Sequence, residues 1–347
     1  MQDSVIRSFA AKLINQNDKS SGANDYPGRY LNHILSHLGY YSSIYKYIID
    51  IARRFTQKPV EELTVLDFGA GNGLLGMFAK HYGFKKVWIN DVDEDFLNAS
   101  KRLAQNTNIR IEGFIKGNEK DILNYFESIN SAPDVILGTD VIEHIYDLES
   151  FFSTIKKLNP DIVHVFTTAS NPYNYWKVKK LRKLQYQDEF VGYSESSVDY
   201  SFHYTGPALS FFEQRKKIIA GSFSQLNQDE ITELAKRTRG QNKNDILNSV
   251  GKYVLTGEMP VGYSDPYWIC DPETGSWTER VLPITTYQKI YKENEFSLKV
   301  FNGYYNSFDD KNLKSLAARI INTAIGFNHY IGRYFSPFIV LAGKKIK

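Results

Sequence analysis

The sequence is poor in cysteine, since Cys270 is the only one among 347 residues. A disulfide within the chain and a zinc site built from several thiolates are therefore excluded. Long hydrophobic runs are also missing: nowhere do about 18 consecutive apolar residues occur, so no membrane-spanning helix is expected. The N-terminal residues lack the continuous apolar core of a signal peptide. These absences predict a protein of the cytoplasm.

An excess of charge is missing as well. Lys and Arg number 42 against 39 Asp and Glu, which leaves a net charge of +3. A protein built to hold nucleic acid carries a concentrated basic surface, so a nucleic-acid partner is not expected. The apolar fraction of 42% and the charged fraction of 23% are those of an ordinary globular protein, and the length allows one large domain or two smaller ones.

Between residues 60 and 170 the sequence alternates between two periodicities. Short β-rich stretches are found at 63–69, 86–91, 109–113, 134–140 and 162–169, and helical stretches at 73–83, 94–106, 119–129 and 148–158. This alternation predicts a parallel sheet with helices on both faces. Residues 1–60 have apolar residues at helical spacing and are expected to form a helical cap.

The alternation stops near residue 170 and resumes near 281. The charged helical runs and turn-rich segments between these points predict an insertion at 181–280, which would act as a lid on the acceptor side. A helix at 284–294, a strand at 296–305, a helix at 310–331 and a strand at 337–345 complete the sheet. The expected organisation is a cap at 1–60, a core at 61–180, the insertion, and the rest of the core at 281–347.

The stretch "VLDFGAGNGLLG", Val65 to Gly76, places four glycines directly after the first strand. Ligands bind at the carboxyl ends of parallel strands, and glycine allows a ligand to lie against the main chain. Asp91 ends the second strand 20 residues after Gly71, a position that suits an acceptor for ribose hydroxyls. The loop therefore predicts a cradle for a nucleotide-type cofactor.

Asp67 favours an adenosyl cofactor over a dinucleotide. Its carboxylate at the end of the first strand would repel a pyrophosphate but would orient a cationic amino-acid group. The close spacing of Gly69, Gly71 and Gly73 favours the same choice.

At these residues the chain resembles the class I S-adenosylmethionine-dependent methyltransferases. "VLDFGAGNG" and "INDVD" are similar to their first two motifs, "GNEKDI" to their adenine-side segment with Asn118 where Asp is common, and "ILGTDVIEHIYDLESFF" to the segment after strand four. The resemblance implies a Rossmann-like, doubly wound, mostly parallel seven-stranded α/β sheet with an antiparallel last strand, and S-adenosyl-L-methionine as cofactor. It implies a cofactor site lined by Asp67, Gly69, Ala70, Gly71, Gly73, Asp91, Val92, Asn118, Glu119 and Asp140.

Candidate catalytic residues follow strand four. His144 is the side chain best matched to taking a proton near neutral pH, and Glu143 precedes it. The alternative is that Glu143 and His144 open a helix, where an acidic residue is favourable. His203 lies in the insertion and would face the acceptor if that insertion folds over the site; a surface or packed histidine is the favoured alternative.

Three further features have two interpretations each. Arg215 with its two lysine neighbours could hold an acidic substrate, or belong to a solvated helix face. Trp277 could stack on a sugar or ring, or fill a loop as a hydrophobic plug, which is favoured. Residues 310–334 are expected to pack on the sheet, with a homodimer contact or a helix on a membrane surface as the alternatives.

The leading hypothesis is a methyltransferase for a small-molecule acceptor, a carbohydrate or nucleotide-sugar. A metal-dependent RNA 2′-O-methyltransferase is the second, because Asp140, Glu143, His144 and His203 could hold a divalent ion; the metal-free interpretation is favoured. The third is a non-catalytic subunit that binds the cofactor and activates a partner.

Overall fold

Short apolar segments form the seven strands of one sheet in the computed structural model, which describes residues 4–17, 25–194, 207–307 and 313–346. The strands are β1 (Thr64–Asp67), β2 (Lys86–Asp91), β3 (Gly113–Lys116), β4 (Val135–Thr139), β5 (Val163–Thr168), β6 (Phe296–Asn302) and β7 (Ile339–Lys345). Their order is β3-β2-β1-β4-β5-β7-β6. β7 pairs antiparallel with β5 and β6, and the other pairs are parallel. The predicted Rossmann-like sheet is confirmed.

The helices belong to two compact units. In the first unit they are α1 (Ser4–Asn17), α2 (Tyr26–Ser36), α3 (Leu38–Thr56), α4 (Leu74–Tyr82), α5 (Glu94–Asn106), α6 (Glu119–Ser128), α7 (Leu148–Ile155), α12 (Ile284–Glu293), α13 (Leu313–Phe327) and α14 (His329–Phe335). This unit comprises the described parts of Met1–Ile142, Asp147–Asn174 and Pro283–Lys347, and so contains the whole sheet.

Helices cover both faces of the sheet because its strands are apolar on both sides. On one face, Phe9 of α1, Ile48 of α3 and Phe78 of α4 belong to one buried cluster with β1 and β2. On the other, Phe126 of α6 packs edge-on against Trp88 of β2 at a centroid distance of 5.1 Å. Full burial of each such side chain stabilises the fold by about 1.5–3 kcal/mol.

The prediction of a strand at 109–113 is wrong, because β3 begins only at Gly113. Backbone hydrogen bonding to α5 continues beyond the last residue of the helix. The N–H of Ile109 donates to the carbonyl of Ala104 at 3.0 Å, and the Ile109 side chain is buried. β3 starts where its backbone reaches Trp88, and a Cβ on Gly113 would lie 2.8 Å from that indole. The apolar alternation of "IRIEG" therefore comes from packing after a helix end.

The second unit comprises Glu143–Tyr146 and the described parts of Tyr175–Leu282. Its helices are α8 (Tyr175–Tyr186), α9 (Phe211–Ser222), α10 (Gln228–Arg237) and α11 (Lys243–Thr256), with a π-helical segment at Gln187–Val191. Ile219, Leu234 and Val250 represent α9, α10 and α11 in a separate buried cluster. The lid function predicted for 181–280 stays a prediction.

Neither interpretation of Arg215 is correct. Its side chain is fully buried, its guanidinium pairs with both carboxylate oxygens of Glu189 at 2.5 and 3.1 Å, and its Nε donates to the carbonyl of Ala235 at 2.8 Å. The buried ion pair links α9 to the π-helical segment, and the hydrogen bond to Ala235 links α9 to α10. It leaves no free guanidinium for a substrate and none for solvent.

The expectation that residues 310–334 pack on the sheet does not hold for most of the large apolar side chains of α13, although Ile325 is buried. Leu313 and Phe327 of α13 are 86% and 92% exposed, whereas the residues that face inward include the small Ser315 and Ala318. Residues 310–312 lie outside the described residues. Among the helices that the structure describes, none has the length and apolar character needed to cross a membrane.

Candidate functional site

The loop after β1 is built from left-handed glycines. Gly69, Gly71 and Gly73 have φ angles of +60°, +53° and +71°, a region that residues with a Cβ rarely adopt. A Cβ on Gly69 would lie 2.3 Å from Val141, and one on Gly73 would lie 2.8 Å from Ile89. Glycine is thus required there by both the backbone and the neighbours.

Gly71 differs from the other two, since the nearest atoms that a Cβ there would meet belong to the rings of Tyr30, at 3.4 Å, and Phe96, at 3.7 Å, which are ordinary contact distances. Phe96 lies in α5 and Tyr30 in α2. The aromatic rings therefore border the open side of the loop, and the amide of Asn72 ties α2 to the loop by donating to the carbonyl of Pro27 at 3.1 Å.

Asp91 fastens the loop from the end of β2. One carboxylate oxygen accepts the N–H of Gly71 at 2.7 Å, and the other accepts the N–H of Asp93 at 2.9 Å. Burial raises the pKa of Asp91, while these backbone donors favour its charged form. Each oxygen has a second lone pair, so a rigid carboxylate with remaining acceptor capacity lies beside the glycines.

Asp67 is placed differently from the other predicted cofactor residues. It is fully buried, and its Oδ2 accepts the N–H of Gly76 in the first turn of α4 at 2.7 Å. Burial raises the pKa of Asp67 to about 8, which favours the neutral acid. This geometry fits a residue that holds the start of α4, and a contact with a cationic ligand stays a prediction.

The adenine-side residues lie on two neighbouring connections. Val92 follows β2 with its side chain 66% exposed. Asn118 begins α6 as its cap, accepting the N–H of Lys120 at 2.9 Å, and Glu119 is the first residue of that helix. Asn90, which the sequence reasoning missed, supports this region because its amide donates to the carbonyls at 115 and 117.

Asp140 follows β4 in a left-handed conformation, with φ +50°. Its N–H donates to the carbonyl of Thr167 at 3.1 Å, and its side chain is exposed. Burial and the nearby Asp140 carboxylate together raise the pKa of Tyr41 to about 12, and both factors also raise that of Tyr30. Asp140 therefore lies near phenols of the helical cap.

The tyrosines of α2 and α3 were not predicted as site residues. Tyr26 and Tyr30 both pack edge-on against Phe96, with centroid distances of 4.9 and 5.7 Å. The hydroxyl of Tyr41 lies 3.2 Å from Nε2 of His33. The only available signal was the i,i+4 spacing of Tyr26 and Tyr30 at a helix start.

The second unit brings Glu143 and His144 together with Glu279, a residue 135 positions beyond His144. One ligand-type atom from each of the three lies within 4.8 Å of the others. Glu143 and His144 lie in a short 3₁₀ turn, Ile142–His144, so they do not open α7. His203, the third predicted catalytic residue, lies outside the described residues.

The tautomer of His144 follows from its hydrogen bond. Its Nδ1 lies 2.7 Å from the carbonyl oxygen of Trp277, and because a carbonyl only accepts, Nδ1 carries the proton. Nε2 is then the basic nitrogen. The N–H of Trp277 donates back to the carbonyl of His144 at 3.1 Å, which holds the two segments together.

Trp277 fills the loop as the hydrophobic plug that the sequence favoured. It is 2% exposed, stacks on Tyr146 at 5.7 Å, and lies under the guanidinium of Arg280 at 4.4 Å.

A cavity of about 190 Å³ lies beside Trp277. His144, Glu279 and Asp188 line it. A histidine and carboxylates around one small cavity can exchange protons or bind a cation.

A methyltransferase-domain family model matches residues 40–219, more than half of the chain. A ubiquinone biosynthesis O-methyltransferase of Paramagnetospirillum magneticum is 28% identical over 120 residues, 34% of this chain and 45% of that protein. A ribosomal protein L11 methyltransferase of Acinetobacter baylyi is 26% identical over 98 residues, 28% of this chain and 32% of that protein. The matches thus span less than half the length of these curated relatives.

Among solved structures, an S-adenosylmethionine-dependent methyltransferase from Clostridium acetobutylicum is similar at a TM-score of 0.45 and 12% identity. The match covers 89% of this chain and 92% of that one.

Proposed function

The chain belongs to the methyltransferase-domain family, with S-adenosyl-L-methionine as cofactor, and we propose that it methylates a small molecule of the carbohydrate or nucleotide-sugar class. The observation that carries the cofactor part of this proposal is the loop of left-handed Gly69, Gly71 and Gly73, which is hydrogen-bonded to the carboxylate of Asp91. When bound, the cofactor supplies a methyl group on a sulfonium that is already activated for transfer.

The loop fits such a cofactor because Gly71 carries no side chain, and the nearest atoms beyond it belong to the rings of Tyr30 and Phe96. Asp91 would accept hydrogen bonds from ribose hydroxyls, and the exposed Val92 would lie against the base. Asp67, Ala70, Asn118, Glu119 and Asp140 complete the proposed cofactor residues.

His144 is the proposed general base, acting through Nε2. The Trp277 carbonyl fixes the tautomer, so Nε2 is available to take a proton from an acceptor hydroxyl. The carboxylates of Glu143 and Glu279 offset the positive charge that the imidazole gains in that step.

The acceptor class is proposed from a groove on the second unit. Lys179, Arg182 and Lys183 of α8 line an open cavity of about 600 Å³ together with tyrosines that include Tyr267, whose ring lies 4.8 Å from the guanidinium of Arg182. Cations bind phosphate, and tyrosine rings cover sugar or base faces. One curated relative is named for ubiquinone biosynthesis and the other for ribosomal protein L11, so the proposed acceptor class rests on the groove and not on these relatives.

Methyl-labelled S-adenosylmethionine offered with separate pools of nucleotide-sugars, oligosaccharides, quinone-type phenols, ribosomal protein and RNA tests the proposal. We expect label in the sugar-containing pools, and a rise of about tenfold in acceptor KM for Arg182→Ala from the loss of one charge-assisted contact. Lys180→Ala is the matched control, because Lys180 is exposed on the same helix but does not line the groove. Label confined to protein or RNA would contradict the acceptor class.

A second candidate, the metal-dependent RNA 2′-O-methyltransferase, is favoured by the convergence of Glu143, His144 and Glu279. If His144 is a general base, His144→Ala lowers turnover by about 10²–10⁴ while cofactor affinity stays unchanged, and a chelator has no effect. If the three residues bind a divalent ion instead, a chelator abolishes activity, added metal restores it, and RNA takes the label.

A further inference from the structure

The two last helices of the first unit expose an apolar surface that the proposed function does not use. On α13, Leu313, Leu316, Ile320 and Phe327 are 86%, 54%, 65% and 92% exposed. Soluble proteins rarely leave several large apolar side chains together in water, so a surface of this kind marks a contact with something else.

These side chains form a single stripe along α13. At about 100° per residue, the positions 313, 316, 317, 320, 324 and 327 fall within an arc of roughly 100°. The opposite side of the helix carries Ser315, Ala318 and Ile325, which are buried. α13 is therefore amphipathic in an unusual sense. It turns Ser315, Ala318 and Ile325 toward the rest of the unit and turns most of its large apolar side chains outward.

The seven-residue helix that follows, α14, also exposes large apolar side chains. Tyr330 and Ile331 are 73% and 58% exposed, and Tyr334 and Phe335 are 58% and 50% exposed. Tyrosine carries an apolar ring and a polar hydroxyl, the combination that is enriched where membranes meet water.

The charges of this segment are all positive. Residues 313–335 contain Lys314, Arg319 and Arg333 and no Asp or Glu. At the helical angle of about 100° per residue, Lys314 and Arg319 lie on opposite flanks of the stripe. Both are exposed, and neither forms an ion pair with another described residue.

We propose that α13 and α14 lie on an anionic lipid surface, with the stripe among the acyl chains and the flanking cations at the level of the phosphates. An outward apolar stripe between cations is the arrangement by which interfacial helices bind membranes. A second copy of the chain is a poorer occupant, because a symmetric contact would bring Lys314 and Arg319 of both copies together, and residues 313–335 contain no carboxylate to pair with them. This property does not depend on which acceptor is methylated.

Sedimentation of the full chain with lipid vesicles tests the proposal. We expect binding to vesicles of phosphatidylcholine with phosphatidylglycerol, and weak binding to phosphatidylcholine alone. Lys314→Gln with Arg319→Gln should lower the partition coefficient about 25-fold, about fivefold for each cation. The triple variant Leu316→Ser, Ile320→Ser and Phe327→Ser should abolish binding.

Leu255→Ser is the matched control, because Leu255 is 87% exposed on α11 of the second unit, and it should bind like the unchanged chain. Circular dichroism checks that the exposed substitutions leave the fold intact. Absence of binding to anionic vesicles would overturn the proposal. So would a dimer in analytical ultracentrifugation that the triple variant converts to a monomer, because a second copy would then occupy the stripe.

Discussion

At the residue scale, Asp91 links the sheet to the glycine loop, since one carboxylate binds backbone amides on both connections. Asp91→Ala should weaken S-adenosylmethionine binding about ten- to a hundredfold, or roughly 1.5–3 kcal/mol, because it removes a charge-assisted acceptor. Calorimetry measures the change, and Asp95→Ala, an exposed carboxylate in the first turn of α5, is the control. Unchanged affinity in a folded Asp91→Ala protein would contradict the cofactor assignment.

His164 of β5 is a second residue whose surroundings set a measurable property. Neither ring nitrogen has a hydrogen-bond partner among the described residues, and the ring is enclosed by Phe152, Tyr291 and Phe296 at centroid distances of 5.2, 5.1 and 4.7 Å. Burial lowers the pKa of His164 to about 3. The folded protein therefore holds this histidine neutral at pH values where the unfolded chain protonates it.

The consequence is acid sensitivity. The pKa of His164 is lower in the folded protein than its ordinary value near 6.5. Above about pH 6.5 this difference costs no stability. As the pH falls from 6.5 toward 3, the unfolding free energy decreases by about 1.4 kcal/mol per pH unit. Urea unfolding at pH 7.5 and pH 5 should show about 2 kcal/mol more loss for the unchanged chain than for His164→Leu. Equal losses in both proteins would mean that His164 does not carry this dependence.

At the scale of elements, the buried ion pair joins α9 to the π-helical segment. Arg215→Met leaves Glu189 buried without its main partner and should cost about 3–5 kcal/mol of unfolding free energy, toward the lower end because Arg239 lies 3.5 Å from the same carboxylate. Adding Glu189→Leu should recover most of the loss. Arg237→Met, which breaks an exposed pair with Glu233 on α10, should cost less than about 1 kcal/mol.

Tryptophan fluorescence during urea unfolding measures these costs, because three of the four tryptophans, Trp176, Trp268 and Trp277, belong to the second unit. If the double variant is as unstable as Arg215→Met, the loss of unfolding free energy comes from altered packing and not from an unpaired buried charge.

The positions of strands and helices could largely be predicted from the spacing of apolar residues along the chain. β2 and α5 have the predicted bounds, and most other strands and helices shift by a few residues. β3 was misplaced because Ile109 is apolar for a different reason, packing at a helix end. The periodicity of α13 was recognised, but periodicity gives the existence of an apolar face and not what covers it.

At the scale of the whole molecule, the predicted cofactor residues all fall in the first unit. A ligand that binds only the folded state at about 100 times its Kd stabilises it by about 2.7 kcal/mol. S-adenosylhomocysteine should therefore slow amide hydrogen exchange in residues 68–76 and 90–93 and at the start of α2. Asp91→Ala is the control that should lose the effect, and protection confined to α9–α11 would contradict the assignment.

The sequence by itself determined the class of sheet, the glycine loop and the acidic residue that ends β2. These features depend on neighbours within a few residues: strand and helix periods, and backbone angles that glycine adopts. Only the tertiary structure decided that Tyr30 borders Gly71, that Glu279 meets Glu143 and His144, that Arg215 is buried, and that α13 turns its large side chains outward. Such outcomes depend on segments far apart in the chain, whose packing a local pattern does not encode.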